Sequence, residues 1–184
     1  MCDSNNRLGN IPHVKYCYDD LVTENLADDP RITAIGLLFE VHTGLAARFA
    51  AQFEEHGLST VEFEVLMRLR RSAGHQLRMT DLAAQAALST SGATRVVDRM
   101  VRDGLVCRRA CPSDRRSSYA VLTRAGQQRL DDTLPGHLQL IGQWFTGQFE
   151  PAELTTLLDT LRRLRDAVHP QATAGSDEAT APAR

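Results

Sequence analysis

The stretch Ser89–Gly104, STSGATRVVDRMVRDG, constrains this chain more than any other. Ala93, Val96, Val97, Met100 and Val101 recur at the three- and four-residue steps of one helical face, and Thr94, Arg95, Asp98, Arg99 and Arg102 fall on the opposite face. Such a helix packs one side into a domain and offers the other to a partner. Its first turn, Ser89-Thr90-Ser91-Gly92, carries only small side chains with hydroxyl donors and acceptors. A backbone so clad can approach base edges in the major groove of DNA closely. Serine and threonine are also ordinary helix caps, and arginines an ordinary solvated face, so the helix alone leaves both readings open.

What surrounds it narrows the choice. Thr80 is expected to cap a brief helix over 81–87, and the turn at Leu88-Ser89 then gives helix-turn-helix spacing. After Gly104, residues 105–110 and 118–122 read as two short strands joined by the polar turn Cys111–Ser117, which makes a β-hairpin wing. Arg115 and Arg116 lie at its tip, where a flexible cation can enter the narrow minor groove and exploit its negative potential. Asp114 suits an intramolecular partner that orients an arginine through charge-assisted hydrogen bonds. The charge distribution agrees. Ser59–Arg124 holds 12 arginines against 6 acidic residues, whereas the rest of the chain holds 9 basic and 17 acidic residues, for a net charge of -2 overall. The DNA-contacting candidates are Thr80, Ser89, Thr90, Ser91, Gly92, Thr94, Arg95, Arg99, Asp114, Arg115 and Arg116.

The flanking segments read as helices. One opens at Asp29-Pro30 and closes at Gly57, with Ile32, Ile35, Phe39, Ala46, Phe49 and Phe53 on one face and His42 in its middle. Ser59-Thr60-Val61-Glu62 is a capping box that opens a helix bearing Val61, Val65, Leu66 and Leu69, which ends at Ser72-Ala73-Gly74; a short strand over 76–79 follows. Thr123 caps a long helix reaching about Phe145, with a kink expected at Pro135. From Pro151, a last helix aligns Leu154, Leu157, Leu158, Leu161, Leu164 and Val168 in a stripe that wants another helix. The expected fold is therefore mainly α. A winged helix-turn-helix lobe spans 59–123, and N- and C-terminal helices (29–58 and 124–169) form a dimerisation region centred on Ile35, Phe39, Leu154, Leu157, Leu161 and Leu164. Residues 1–28 read as a flexible extension and 170–184 as a disordered tail. With no secretory signal and no apolar run of bilayer-spanning length, a cytoplasmic location without a membrane partner is expected.

The runs GATRVVDRMVRDGLV (92–106) and SDRRSSYAVLTRAG (113–126), with the Asp114-x-Arg116 wing and the Leu122-Thr123-x-x-Gly126 junction, resemble the MarR family of winged-helix regulators over roughly residues 30–168. The resemblance implies a homodimer whose terminal helices interlock and whose two lobes read a pseudo-palindromic operator in double-stranded DNA. It also implies a regulator, here taken as a repressor, that small ligands or thiol oxidation often release. Oxidant-sensing members with a reactive cysteine place it near the start of the first helix; Cys17 lies about a dozen residues upstream of that point, and Cys107 and Cys111 flank the first wing strand. A redox-responsive regulator using Cys17 or Cys107 and Cys111 is the alternative, and a winged-helix module for protein binding or architecture is another. The four cysteines otherwise read as ordinary reduced thiols, and Cys107 and Cys111 alone give too few ligands for a zinc site without recruited histidines. His42, in the region that borders interface and effector pocket in the resembling family, is the candidate ligand for a small aromatic acid, or else an interfacial histidine. Trp144 is expected to pack in core or interface. No phosphate loop, nucleophile elbow, HExxH or paired carboxylate site is present in the sequence, so neither a catalytic role nor a cofactor or metal is expected.

Overall fold

The structure is a computed structural model that describes residues 26–111 and 114–173, with the side chains of Asp114, Arg115 and Arg116 outside that description. The expectations for residues 1–25, for Cys17 and for residues 174–184 lie outside the described residues. Two compact units divide at Val41/His42.

In the first unit, Leu26–Asp28 form a single 3-10 turn, so the last three residues of the presumed extension already belong to the approach of the first helix. Helix α1 runs over Pro30–Glu55, and the Asp29 carboxylate accepts from the N–H and the guanidinium of Arg31. That ion pair holds the Asp29 carboxyl at about 2. Ile32, Ile35, Leu37, Leu38, Phe39 and Val41 are all exposed, Phe39 by 62%. By length and composition, α1 is the one described helix that could cross a membrane, which the reading of short apolar runs had missed.

The second unit contains the rest. Its core is built from Phe53, Leu58, Phe63, Val65, Leu66, Leu69, Leu77, Leu82, Val97, Met100, Leu105, Val106, Ala120 and Leu130. Gly57, at φ +67, turns the chain from α1 into α2, Thr60–Arg71, which Ser59 and Glu62 open with the expected capping box. Strand β1 covers Gln76–Arg78 and leads directly into α3, Met79–Gln85. Here the expectation for Thr80 fails: Arg78 is the cap residue, with no side-chain bond, and Thr80 lies inside the first turn. Because β1 must pair until Arg78, the helix has to begin immediately after it. The turn out of α3 places Ala87 at φ +52, a left-handed conformation uncommon for a residue with a Cβ. Helix α4 then spans Thr90–Arg102, capped by Ser89.

Strand β2, Val106–Cys111, lies one residue later than expected, and β3, Asp114–Leu122, is longer than the sequence suggested and takes up most of the expected turn. The sheet order is β1-β3-β2, all antiparallel, with a bulge between Ala110 and Cys111. Helix α5 runs over Arg124–Trp144 as one element through Pro135, and α6 covers Pro151–Val168. No residue of α6 is buried: Leu154, Leu157 and Leu161 are half-buried, and Leu158, Leu164 and Val168 exposed. Trp144 is 43% exposed, with the Arg48 guanidinium 4.3 Å above its ring. The four residues after α6, expected in the tail, instead form a 3-10 turn over Pro170–Thr173.

The junction of wing and α5 shows why its sequence is so particular. The Thr123 hydroxyl donates to Gly104 O at 2.7 Å and accepts from the Gly126 N–H at 3.0 Å. A Cβ on Gly126 would lie 2.1 Å from Leu105 O, a contact no relaxation of side chains can relieve. Gly126→Ala should therefore lower stability by about 1–3 kcal/mol or more through overpacking against backbone. Urea unfolding checks this; an unchanged midpoint would mean that α5 does not approach β2 so closely.

Candidate nucleic-acid interface

The candidate surface is the outward side of α4. Ala93, Val97 and Met100 are buried and Val96 half-buried, as the periodicity requires, whereas Val101 stands 37% exposed at the last turn. The Ser89 hydroxyl accepts from the Gly92 N–H at 3.0 Å and lies 3.2 Å from the Ser91 hydroxyl. A Cβ on Gly92 would come to 3.1 Å from that Ser89 oxygen, so the small residue keeps the capped turn tight. Ser89, Thr90 and Ser91 are exposed and Thr94 half-buried beside them. Thr80 is also exposed, on α3, with its hydroxyl 3.4 Å from Asp81.

The polar side chains of this helix divide into two groups. Arg99 donates through Nε to Glu62 Oε1 at 2.6 Å, and Glu62 is only 7% exposed. The other Glu62 oxygen accepts from the Ser59 N–H at 2.8 Å and the Ser59 hydroxyl at 2.7 Å. Burial alone would raise the Glu62 pKa, but the bonds from Ser59 and Arg99 outweigh it and hold the carboxyl below its ordinary 4.5. Asp98 in turn accepts from Arg108 of β2 at 2.8 Å. Arg99 and Asp98 thus brace α4 against α2 and the wing. Arg95 and Arg102 are exposed and have no ion-pair partner among the described residues. Arg95 stands exposed, while Arg99 is first of all a strut. Spacing within α4 could not reveal this, because its partner lies 37 residues earlier.

The wing extends from the same lobe. Arg108 also reaches the Ser118 hydroxyl at 3.4 Å, and on the outer face the guanidinium groups of Arg78 and Arg109 lie 6.0 and 5.8 Å from the Tyr119 ring. The backbones of Asp114, Arg115 and Arg116 begin β3 at the end near the tip; an Asp114–Arg116 pairing concerns side chains outside the described residues.

Over residues 58–118, from the cap of α2 into β3, the chain matches the family model described as MarR family. The transcriptional repressor YetL of Bacillus subtilis is 30% identical over 134 residues, covering 73% of this chain and 80% of that protein. This chain belongs to the MarR family. Two MarR family regulators of Streptomyces coelicolor are similar in structure. AbsC superposes with a TM-score of 0.73 at 30% identity, covering 80% of this chain and 99% of that one. Sco3205, solved in complex with DNA, gives 0.71 at 28%, covering 82% and 94%. The chain is thus a winged helix-turn-helix transcriptional regulator.

Two other expectations for this MarR protein change. Cys107 is exposed and Cys111 buried, its sulfur 3.8 Å from the Tyr119 hydroxyl. Both lie in β2, where four residues of strand span about 13 Å, well beyond the roughly 4–7 Å that a disulfide needs between Cα atoms. They cannot join each other. No cluster of three or more metal-ligating side chains occurs among the described residues. His42 is exposed and is not among the residues that line the lobe's cavity of about 630 Å3. His137 of α5 is. It sits within 4.7–4.9 Å of the rings of Phe49, Phe53 and Phe63, and its Nδ1 is buried without a partner among the described residues. Burial lowers its pKa from 6.5, which keeps the ring neutral. His137 lies two residues after Pro135, away from the stripe of α1 that carries His42.

The strut makes a prediction. Because the Glu62 carboxyl is held below 4.5 in the folded state, its contribution is complete above that value and disappears as pH falls through the folded one. Glu62→Gln should cost about 1–2 kcal/mol at neutral pH, with the gap to wild type closing in acid. Arg99→Ala combined with it should cost much less than the two changes summed. Additive losses in denaturant titrations would show that the two side chains act apart.

Proposed function

We propose that this protein is a repressor that binds a pseudo-palindromic DNA operator as a homodimer and is released by a small aromatic acid. The observation that carries the reading is the outward side of α4: a capped turn of small hydroxyl residues followed by an unpaired, exposed Arg95, braced from behind by Glu62. Sco3205, similar over most of its length, was solved with DNA, and YetL is a repressor. Ser89, Thr90, Ser91, Gly92, Thr94 and Arg95 take the major groove, where each base pair has its own pattern. Arg115 and Arg116 take the minor groove, with Asp114 orienting one of them. Thr80 and Arg99 lie at the edge, Arg99 through whatever donors its bond to Glu62 leaves.

A second copy of the chain covers the apolar faces. In α1 these are Ile35 and Phe39, and in α6 Leu154, Leu157, Leu161 and Leu164. Left in water, faces of this extent are unusual for a monomer. A bilayer does not suit α1, because Gln52 and Phe53 at its end are built into the lobe's core. The effector occupies the 630 Å3 cavity, with its ring against Phe49, Phe53, Phe63 and Met67, an acceptor or donor at His137, and its acid group toward Arg68, Arg71 or Arg165.

Binding-site selection with wild type, Arg95→Ala and Arg116→Ala separates the two grooves. Arg95→Ala should lose about 1–3 kcal/mol at the selected site and relax one base position, while less is lost on random duplex. Arg116→Ala should weaken all sites with little change of base preference. A reversed pattern would exchange the grooves. Loss of neither affinity would leave a protein-binding module as the better reading. Phe39→Glu and Leu161→Glu should each yield a folded monomer by analytical ultracentrifugation with circular dichroism; two undiminished dimers would remove these faces from the interface.

A further inference from the structure

The short turn that follows α6 closes on the cavity and on the first helix of the DNA-binding motif together. His169 Nε2 lies 2.9 Å from Ala84 O, the carbonyl of a residue near the end of α3. Three residues on, Ala172 is 7% exposed and its carbonyl accepts from Arg68 Nη1 at 2.8 Å. Arg68 also donates through Nη2 to Glu64 at 3.0 Å. Ala172, Thr173, Arg68, Glu64 and Arg165 all line the cavity. Of the three arginines that line the cavity, Arg68 is thus the one that a backbone carbonyl of the turn engages.

We infer that residues 169–173 are a displaceable strap, and that an aromatic carboxylate entering the cavity takes Arg68 from Ala172 O and so loosens the strap's hold on α3. The inference rests on the cavity reading proposed above. Its physical basis is the difference between the two acceptors. A carboxylate meets the guanidinium with an opposite charge and two oxygens, often bidentately, whereas a backbone carbonyl offers one uncharged acceptor. The strap packs along α3 and is tied by one buried alanine and these two side-chain bonds to backbone. Residues of α3 pack directly on α4, since Leu82, Ala83, Ala93 and Val97 share the core. A strap that leaves Ala84 thus releases the helix against which the recognition helix rests. A closed strap also costs the ligand apparent affinity, in proportion to the fraction of molecules in which it is open.

Hydrogen exchange on the full chain tests this, with naphthoate as the acid probe and naphthamide as its uncharged counterpart. In the free protein, the His169 N–H donates to Arg165 O and the Ala172 N–H to His169 O. Naphthoate should speed exchange at both amides and in the last turn of α3, and naphthamide should not. His169→Ala keeps the chain whole and removes only the tie to α3; it should bind naphthoate about fivefold more tightly, the factor set by one lost hydrogen bond. If naphthoate binds while these amides exchange unchanged or more slowly, the strap is a fixed wall and the inference falls. It falls equally if neither protein binds naphthoate, or if naphthamide loosens the strap as well as the acid does. None of these readouts involves DNA, so a failure of repression or of operator binding remains distinguishable.

Discussion

The carboxylate of Glu62 is the point on which the stance of α4 depends. Nearly enclosed, it receives the N–H and hydroxyl of Ser59 on one oxygen and the Nε of Arg99 on the other. A charge so placed is tolerable only because all these donors are present together, for a buried carboxylate short of partners would give up its charge. The same residue opens α2 and fixes the angle at which α4 stands on it. Asp98 and Arg108 repeat the arrangement from the side of the wing. Two ion pairs, each joining α4 to a different element, leave the helix little freedom to rock. Preorganisation of this kind lowers what must be ordered when DNA arrives.

Much of this was legible in the sequence where the physics is local. The capping box at Ser59, the cap at Ser89, the buried stripe Ala93-Val97-Met100 and the Thr123-Gly126 junction are short-range patterns, and each appears in the structure. The pairing of Arg99 was not legible, because nothing in α4 points to a carboxylate 37 residues away. Nor was the place of His42. A stripe on α1 said which residues share a face, but only packing against α2 and α5 decides where a cavity opens, and there the histidine is His137. Thr80 looked like a cap because threonine before Asp is a common helix start, yet pairing of β1 through Arg78 sets the boundary one residue before Met79. Pro170–Thr173 read as tail from composition. Ala172 is buried for reasons no composition carries, namely a guanidinium on α2 and a histidine seated on α3.

Seen from its charges, the lobe separates arginines that hold the protein together from arginines left for a partner. Arg68, Arg99 and Arg108 have carboxylates on neighbouring elements or turns, and Arg78 and Arg109 lie against Tyr119. Arg95 and Arg102 have no such partner among the described residues and stand in water on the one helix shaped to enter a groove. The excess of arginine between Ser59 and Arg124 is therefore not a uniform coat, and only part of it is available to neutralise phosphates. Affinity that came from the whole excess would be steeply salt-dependent and indifferent to sequence. A lobe that pairs several of its arginines with its own carboxylates shifts the balance toward contacts that read bases, which is what a regulator acting at particular sites requires.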